Sequence, residues 1–409
     1  MPAALPNTSR RRRRWPILVA TGALLVGAAL IVAALGTGAA DPTGCAGPAE
    51  CRVDAAAEGD AGAPAGTAGA TPAPTTTAGA TPAPAAAAAT PAAARAADAT
   101  GGGRYPARFA VGAPGVERYR QSDAQLPVPP GFRVYEPHNQ ASKEWDLYKC
   151  DGTVNLDRIY FRAFIYVGTD CHGTVNITNS IIAPPPGSAN RAILVNANPS
   201  GRLTLNIRNT TIRPEPVGSG QQNAALTDHA INDCATCTIR LSGVDVANTG
   251  GMCLCGANVT IERSWLHDNY IAHLADPSQA HTGGVFPYGG SGPVTISNSR
   301  LEPGVDAFTG KEVPGYWKAI TAVLFTQSQG DSTLRNYLVR DSFISLGAYG
   351  LYAQDGIGLR LRDNVFGPTH WGHTSQCGSD CKVTYTEWSN NVAGAIDGTP
   401  TGEAVPQPS

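Results

Sequence analysis

The chain has 409 residues, a net charge of −2, a pI near 6.4 and only 15% charged residues, against 47 glycines and 32 prolines. That balance gives no basic field for nucleic acid, and it favours a turn-rich β protein outside the cell over a helical cytosolic enzyme. By length the chain would hold two or three ordinary domains, but its first hundred residues are not globular in composition.

Residues 1–14 form a basic tail that ends in five arginines, Arg10 to Arg14. An uncharged, largely apolar run follows over 15–36. Some 20 apolar residues suffice for a helix to cross the hydrocarbon core, and the arginines hold the tail in the cytoplasm. The expectation is a transmembrane signal-anchor in the cytoplasmic membrane, with everything after it outside. The other reading is a secretory leader cut near Gly38-Ala39-Ala40, which would release the protein. Both readings export the rest of the chain.

Residues 37–103 are nearly all Ala, Pro, Thr and Gly, with Ala-Gly-Ala-Thr-Pro-Ala-Pro at both Ala68 and Ala78. Such a segment buries too little apolar surface to offset its chain entropy, so it reads as a disordered linker that its prolines keep extended. A second spacer-like tail is expected over 398–409.

Between them, over 104–397, one pattern recurs: two alternating apolar residues, then Asn, Asp or Arg, then Ser, Thr or Asn, then another apolar residue. It stands at Val175-Asn176-Ile177-Thr178-Asn179-Ser180-Ile181 and again at Leu205-Asn206-Ile207-Arg208-Asn209-Thr210-Thr211-Ile212. Further copies start at Val259, Val294, Tyr337 and Leu359, and looser ones centre on Leu156 and Leu241. Alternation makes short strands with one face inward. The Asn or Asp between them suits a sharp left-handed corner. A third strand precedes the copies, as at Phe164-Ile165-Tyr166-Val167, Ala192-Ile193-Leu194-Val195, Ala322-Val323-Leu324-Phe325 and Gly350-Leu351-Tyr352-Ala353. Leu156 and Ile177 are 21 residues apart, Leu241 and Ile261 20, and Val339 and Leu361 22. One turn of a β-solenoid takes about that many. The fold expected is therefore all-β: a right-handed parallel β-helix with three strands per turn and about eight to ten turns. The wider gaps, Ile261 to Ile296 and Ile296 to Val339, read as turns with a loop inserted on one side.

The ten cysteines suit disulfides in an exported chain. Cys150 and Cys171 stand one turn apart and would bridge adjacent coils. Cys234 and Cys237 precede Cys253 and Cys255 by about a turn, a set that suits two disulfides in any of three pairings or, alternatively, a zinc ion. Cys377 and Cys381 would close a small loop, as would Cys45 and Cys51 within the linker.

From about Leu126 to Asp397 the chain resembles exported bacterial β-helix proteins of the pectate-lyase-like superfamily. The resemblance is carried by Val128-Pro129-Pro130-Gly131, the repeated Val-x-Ile-x-x-Ser copies, Ser264-Trp265-Leu266-His267 and Ala280-His281-Thr282-Gly283-Gly284-Val285. Asp363-Asn364-Val365-Phe366-Gly367 and Trp388-Ser389-Asn390-Asn391-Val392 complete it. It implies polysaccharide as the partner, bound or processed along the flank. Relatives usually carry an acid after the Ala-His pair, where this chain has Thr282 and Gly283. Lyase chemistry would need carboxylates holding Ca2+ and a basic residue to take the proton. Hydrolysis would need two facing acids. No cofactor is established by the residues themselves, and a metal site stays unknown.

The outward row of the strands that precede the motif is read as Tyr166, Leu194, Asn232, Phe286, Leu324 and Tyr352. It is acid-free and suited to stacking sugars, with Tyr166, Phe286 and Tyr352 as substrate-binding candidates. Beside it the polar candidates for catalysis are Asp228, His229, Asp233, Asp276 and His281, with His267-Asp268 and His273 nearby. Lys318, Arg335 and Arg340 are the nearest bases. The alternatives to an enzyme are a non-catalytic glycan-binding protein and a structural adhesin on the cell surface.

Overall fold

The computed structural model describes residues 104–116, 126–141, 143–185, 191–196, 202–215, 224–228, 237–254, 257–269, 282–287, 292–312, 320–326, 334–377 and 381–409. The basic tail over 1–14 and the segments read from the sequence as an anchor (15–36) and a linker (37–103) lie outside them. The described residues are all-β, with no helix among them.

The strands form three large sheets of eleven, nine and nine strands. Sheet A opens with Arg133–Tyr135, sheet B with Glu144–Lys149 and sheet C with Thr153–Asp157. The chain then returns to A at Ile159–Phe161, to B at Phe164–Asp170 and to C at Thr174–Thr178. Each return lays its strand parallel beside the one before. This cycle, repeated along the chain, is an arrangement compatible with a β-helix. Antiparallel pairing occurs where Pro400–Ala404 folds back on Val392–Gly394, and in the small hairpin of Val305–Asp306 with Lys311–Glu312.

Alternation places the core. In Thr174–Thr178 the apolar Val175 and Ile177 are buried, and the polar residues between them are half-buried. Leu156, Ile177, Ile207, Leu241, Ile261, Ile296, Val339 and Leu361 stand in register, one per coil, as a single inward column. Each such side chain taken from water contributes roughly 1.5–3 kcal/mol.

Between sheets C and A the chain turns on one left-handed residue. Asn179 (φ 50), Asn209 (φ 44), Asn298 (φ 49), Asp341 (φ 51), Asp363 (φ 56) and Asn390 (φ 52) take this place, as the repeat predicts. Arg158 and Arg263 do so as well, without the local hydrogen bonding that makes the conformation cheap for Asn and Asp. The next residue points inward and binds the coil beside it. Val244 N–H donates to Ser264 Oγ (3.2 Å), Ser264 N–H to Ser299 Oγ (3.2 Å), Ser299 N–H to Ser342 Oγ (3.2 Å) and Ser342 N–H to Asn364 Oδ1 (3.1 Å). Buried backbone donors are thus satisfied across successive coils.

Three features depart from the sequence reading. The extra length does not enter on one side only: 270–281 and 313–319 lead into strands of sheet B, while 229–236, 288–291 and 327–333 lead out of them. The corner from C to A is too tight to take an insertion, so loops collect at both edges of B. The tail over 398–409 is not a free spacer, since Pro400–Ala404 pairs with sheet A and Val405 is buried.

The third departure is a strap. Residues 104–116 run along the outer face of sheet A from its late coils towards its early ones. Arg104 Nη1 donates to the Asp363 carbonyl (3.1 Å), and the Tyr105 hydroxyl donates to the Gly398 carbonyl. Gly112 N–H reaches the Gly243 carbonyl (3.0 Å), and Ala113 N–H reaches Thr211 Oγ1 (3.1 Å). Leu126 then accepts from the Tyr160 hydroxyl near the first coil (2.9 Å).

Cys150 and Cys171 are bonded, with their Cα atoms 4.4 Å apart, and Cys377 is bonded to Cys381. Cys237 is also disulfide-bonded. Cys234 and Cys255 lie outside the described residues.

Candidate functional site

Two outer faces carry chemistry. Sheet B runs through Glu144–Lys149, Phe164–Asp170, Arg191–Val195, Ala224–Asp228, Met252–Leu254, Thr282–Pro287, Ile320–Thr326, Tyr349–Ala353 and Gly372–Gln376. Its register corrects the outward row at one place, and Asn232 lies outside the described residues. Leu324 pairs with the buried Val285 and belongs to the core, so Phe325 stands outside.

The result is an aromatic row. Phe286 meets Phe325 edge-on (5.8 Å between centroids), Phe325 stacks on Tyr352 (5.4 Å, 9°), and Tyr352 stacks on Tyr349 (5.6 Å, 25°). Trp371 lies against Tyr349 (5.6 Å, 54°) and is 56% exposed. Inside the row the ring faces are spent on one another, and Phe286 is only 2% exposed. Trp371, which also meets the His370 ring (5.4 Å), is the most exposed ring of the row. At the other end of the sheet, Tyr148 (53% exposed) packs against the half-buried Tyr166 (5.2 Å), whose hydroxyl accepts from Asn196 Nδ2 (3.1 Å).

Gly283 has a steric reason to be glycine. A Cβ on Gly283 would collide with the Phe286 ring, so no side chain fits there while that ring holds its place.

The second face is that of sheet A under the strap. His267 is buried, and its ring stacks on Trp265 (3.5 Å). Its Nδ1 lies 2.6 Å from Asp268 Oδ2 and its Nε2 2.7 Å from Asp245 Oδ1. Burial lowers its pKa, but the charge and hydrogen bond of Asp245, with those of Asp268, outweigh that and hold the pKa at about 9. The ring is therefore an imidazolium at neutral pH, donating from both nitrogens. Beside it Glu302 is fully buried. Arg108 of the strap gives it two bonds (2.8 Å each), Arg300 Nε one (2.7 Å) and Trp265 Nε1 one (2.8 Å). Burial raises the Glu302 pKa, and the two arginines more than reverse it, so the net direction is down. Phe109 closes edge-on over Trp265 (5.1 Å). A histidine held between two carboxylates under a covering segment has no free lone pair and no path to substrate. The cluster binds the strap.

Among the sequence candidates, the structure parts His267 and Asp268 from the flank of sheet B, since they face outward from sheet A. Asp228 ends its strand at one edge of sheet B, in register with Leu254 and Pro287. The segment that holds Asp276 and His281 enters the sheet at Thr282, the opposite edge. His229, Asp233, Asp276 and His281 themselves lie outside the described residues. No cluster of metal-ligating side chains occurs among the described residues.

The composition of the strap interface was not anticipated. One signal existed for part of it: Asp245 and His267 are 22 residues apart, the spacing of adjacent coils. Comparison with family models, curated proteins and solved structures finds no match for this chain.

Proposed function

We propose that the chain is an exported right-handed parallel β-helix of the pectate-lyase-like kind, holding an extracellular polysaccharide on the outer face of sheet B. The single observation that carries this is the exposed ring of Trp371 at the end of an aromatic row. An indole face against the C–H face of a pyranose is a favourable apolar contact that leaves the sugar hydroxyls in water. The five arginines ahead of the apolar run support export, with the domain tethered to the cytoplasmic membrane or secreted if the leader is cut. The disulfides fit an oxidising compartment.

Binding without catalysis is the reading favoured, because exposed rings stand at both ends of the described face, and its acids Glu144 and Asp146 share one strand beside Tyr148. Affinity electrophoresis through gels holding neutral or uronate polymers tests it. Trp371→Ala should weaken retardation by glycan while melting at an unchanged temperature. Retardation left undiminished in Trp371→Ala removes the proposal. The enzyme reading keeps Asp228, Asp276 and His281 as its candidates. It requires new reducing ends or an unsaturated product, measured with and without Ca2+, that vanish in Asp228→Ala, Asp276→Ala or His281→Ala. A chain that binds no glycan at all is a structural cell-surface protein.

A further inference from the structure

We infer that the ligand is a long, uncharged polysaccharide gripped at two separated points, the Tyr148 ring and the Trp371 ring, so that the protein selects polymer over short oligosaccharide. This rests on the glycan-binding reading of sheet B and adds to it a length and a charge class.

Only four large apolar side chains are exposed among the described residues: Val134, Tyr148, Phe308 and Trp371. Two of them mark the two ends of sheet B. Tyr148 belongs to its first strand, and Trp371 directly precedes its last. Nine strands at ~4.8 Å each separate the rings by roughly 40 Å. Between them Phe286 and Phe325 are buried, so no comparably exposed ring interrupts the span among the described residues.

Both end rings are held in place before any ligand arrives. Tyr148 lies over Gly168, where a Cβ would come within 2.9 Å of Tyr148 Cδ1, and its hydroxyl donates to Glu144 Oε1 (3.1 Å). The backbone of Trp371 is fixed by its amide N–H, which donates to the Ala348 carbonyl (2.9 Å), and its ring lies against those of Tyr349 and His370 (5.6 and 5.4 Å). A ring that is already positioned loses little freedom on binding.

Charge decides the class. From Phe164–Asp170 to Gly372–Gln376, no strand of sheet B carries an exposed lysine or arginine, and Arg191, the one cation there, is buried. Glu144 and Asp146 stand beside Tyr148, with the exposed Lys149 next to them. A polyuronate would meet two carboxylates against one ammonium at that end, and no exposed lysine or arginine on the described strands beyond it. A neutral chain meets no such imbalance.

Two weak contacts joined by one polymer gain from effective concentration, typically 10²–10⁴-fold over either alone. The test uses the 409-residue chain and its Tyr148→Ala and Trp371→Ala variants. They are titrated with neutral β-glucan, xylan and mannan polymers, with their trisaccharides, and with polygalacturonate. At least one neutral polymer should bind on the order of 100-fold more tightly than its trisaccharide. Each single variant should bring the polymer down to the trisaccharide level, and each should still bind the trisaccharide at its remaining ring. If Trp371→Ala abolishes binding and Tyr148→Ala changes nothing, the two-point grip is wrong while glycan binding stands. Preference for polygalacturonate overturns the charge class alone. Binding of no polymer by the unaltered chain overturns this inference together with the reading beneath it.

Discussion

The outer faces of sheets A and B arise from the same alternation of residues, yet one holds buried charge and the other exposed rings. On sheet A the strap covers His267, Glu302 and Arg300, so every charge there needs a partner, and each has one. On sheet B the ends of the face stay open, and side chains there need no ionic partner to be stable. The inward face must be apolar on every sheet. The outward face takes its chemistry from whatever lies over it.

That contrast can be broken most forcefully at Glu302. Glu302→Ala leaves Arg300 and Arg108 without their shared carboxylate and should cost about 3–5 kcal/mol in urea unfolding, as for other broken buried pairs. A loss below 1 kcal/mol would mean that the strap is held by its apolar contacts alone.

Next in size is the pH dependence of His267. Its folded pKa of about 9 exceeds the unfolded value of about 6.5, so its contribution is fully present below pH ~6.5 and is lost as the pH rises through 9. The loss should be on the order of 3 kcal/mol between those limits. Unfolding midpoints measured from pH 6.5 to 10 check it, and His267→Gln should flatten that limb of the profile.

Ser299→Ala probes the corner that serves both faces. It removes the acceptor of Ser264 N–H and should cost about 1–3 kcal/mol, read as a lower melting temperature. The smallest effect on stability belongs to sheet B. Trp371→Ala should shift stability by no more than about 0.5 kcal/mol, because the ring is more than half in water, while glycan retardation falls. Large losses under the strap with none at Trp371 would sharpen the distinction. A Trp371→Ala variant that unfolds would erase it.

How legible each face was follows from the distance between its partners. The inward column from Leu156 to Leu361 shows itself because its members recur at the spacing of one coil, and the corner asparagines recur with them. Cys150 and Cys171 obey the same spacing. The outward row of sheet B was legible at Tyr166, Phe286 and Tyr352 and slipped at Leu324. The strand Met252–Leu254 is too short to show alternation, and Gly283-Gly284 hides the register of its neighbour. The strap left no trace at all. Arg108 lies 194 residues from Glu302 and Tyr105 lies 293 from Gly398, separations that no local pattern encodes. The described part of sheet B yields the aromatic row, and of the acids proposed for catalysis Asp228 ends one of its strands while Asp233 and Asp276 sit in segments that carry no repeat.

The partners of the strap also set an order of events during synthesis. Arg104 and Tyr105 leave the ribosome early, while Asp363, Ile396 and Gly398, which receive their side chains and that of Arg108, are made 259 to 293 residues later. The coils can assemble one upon another as they emerge, but the clasp that fastens them is made first and closed last.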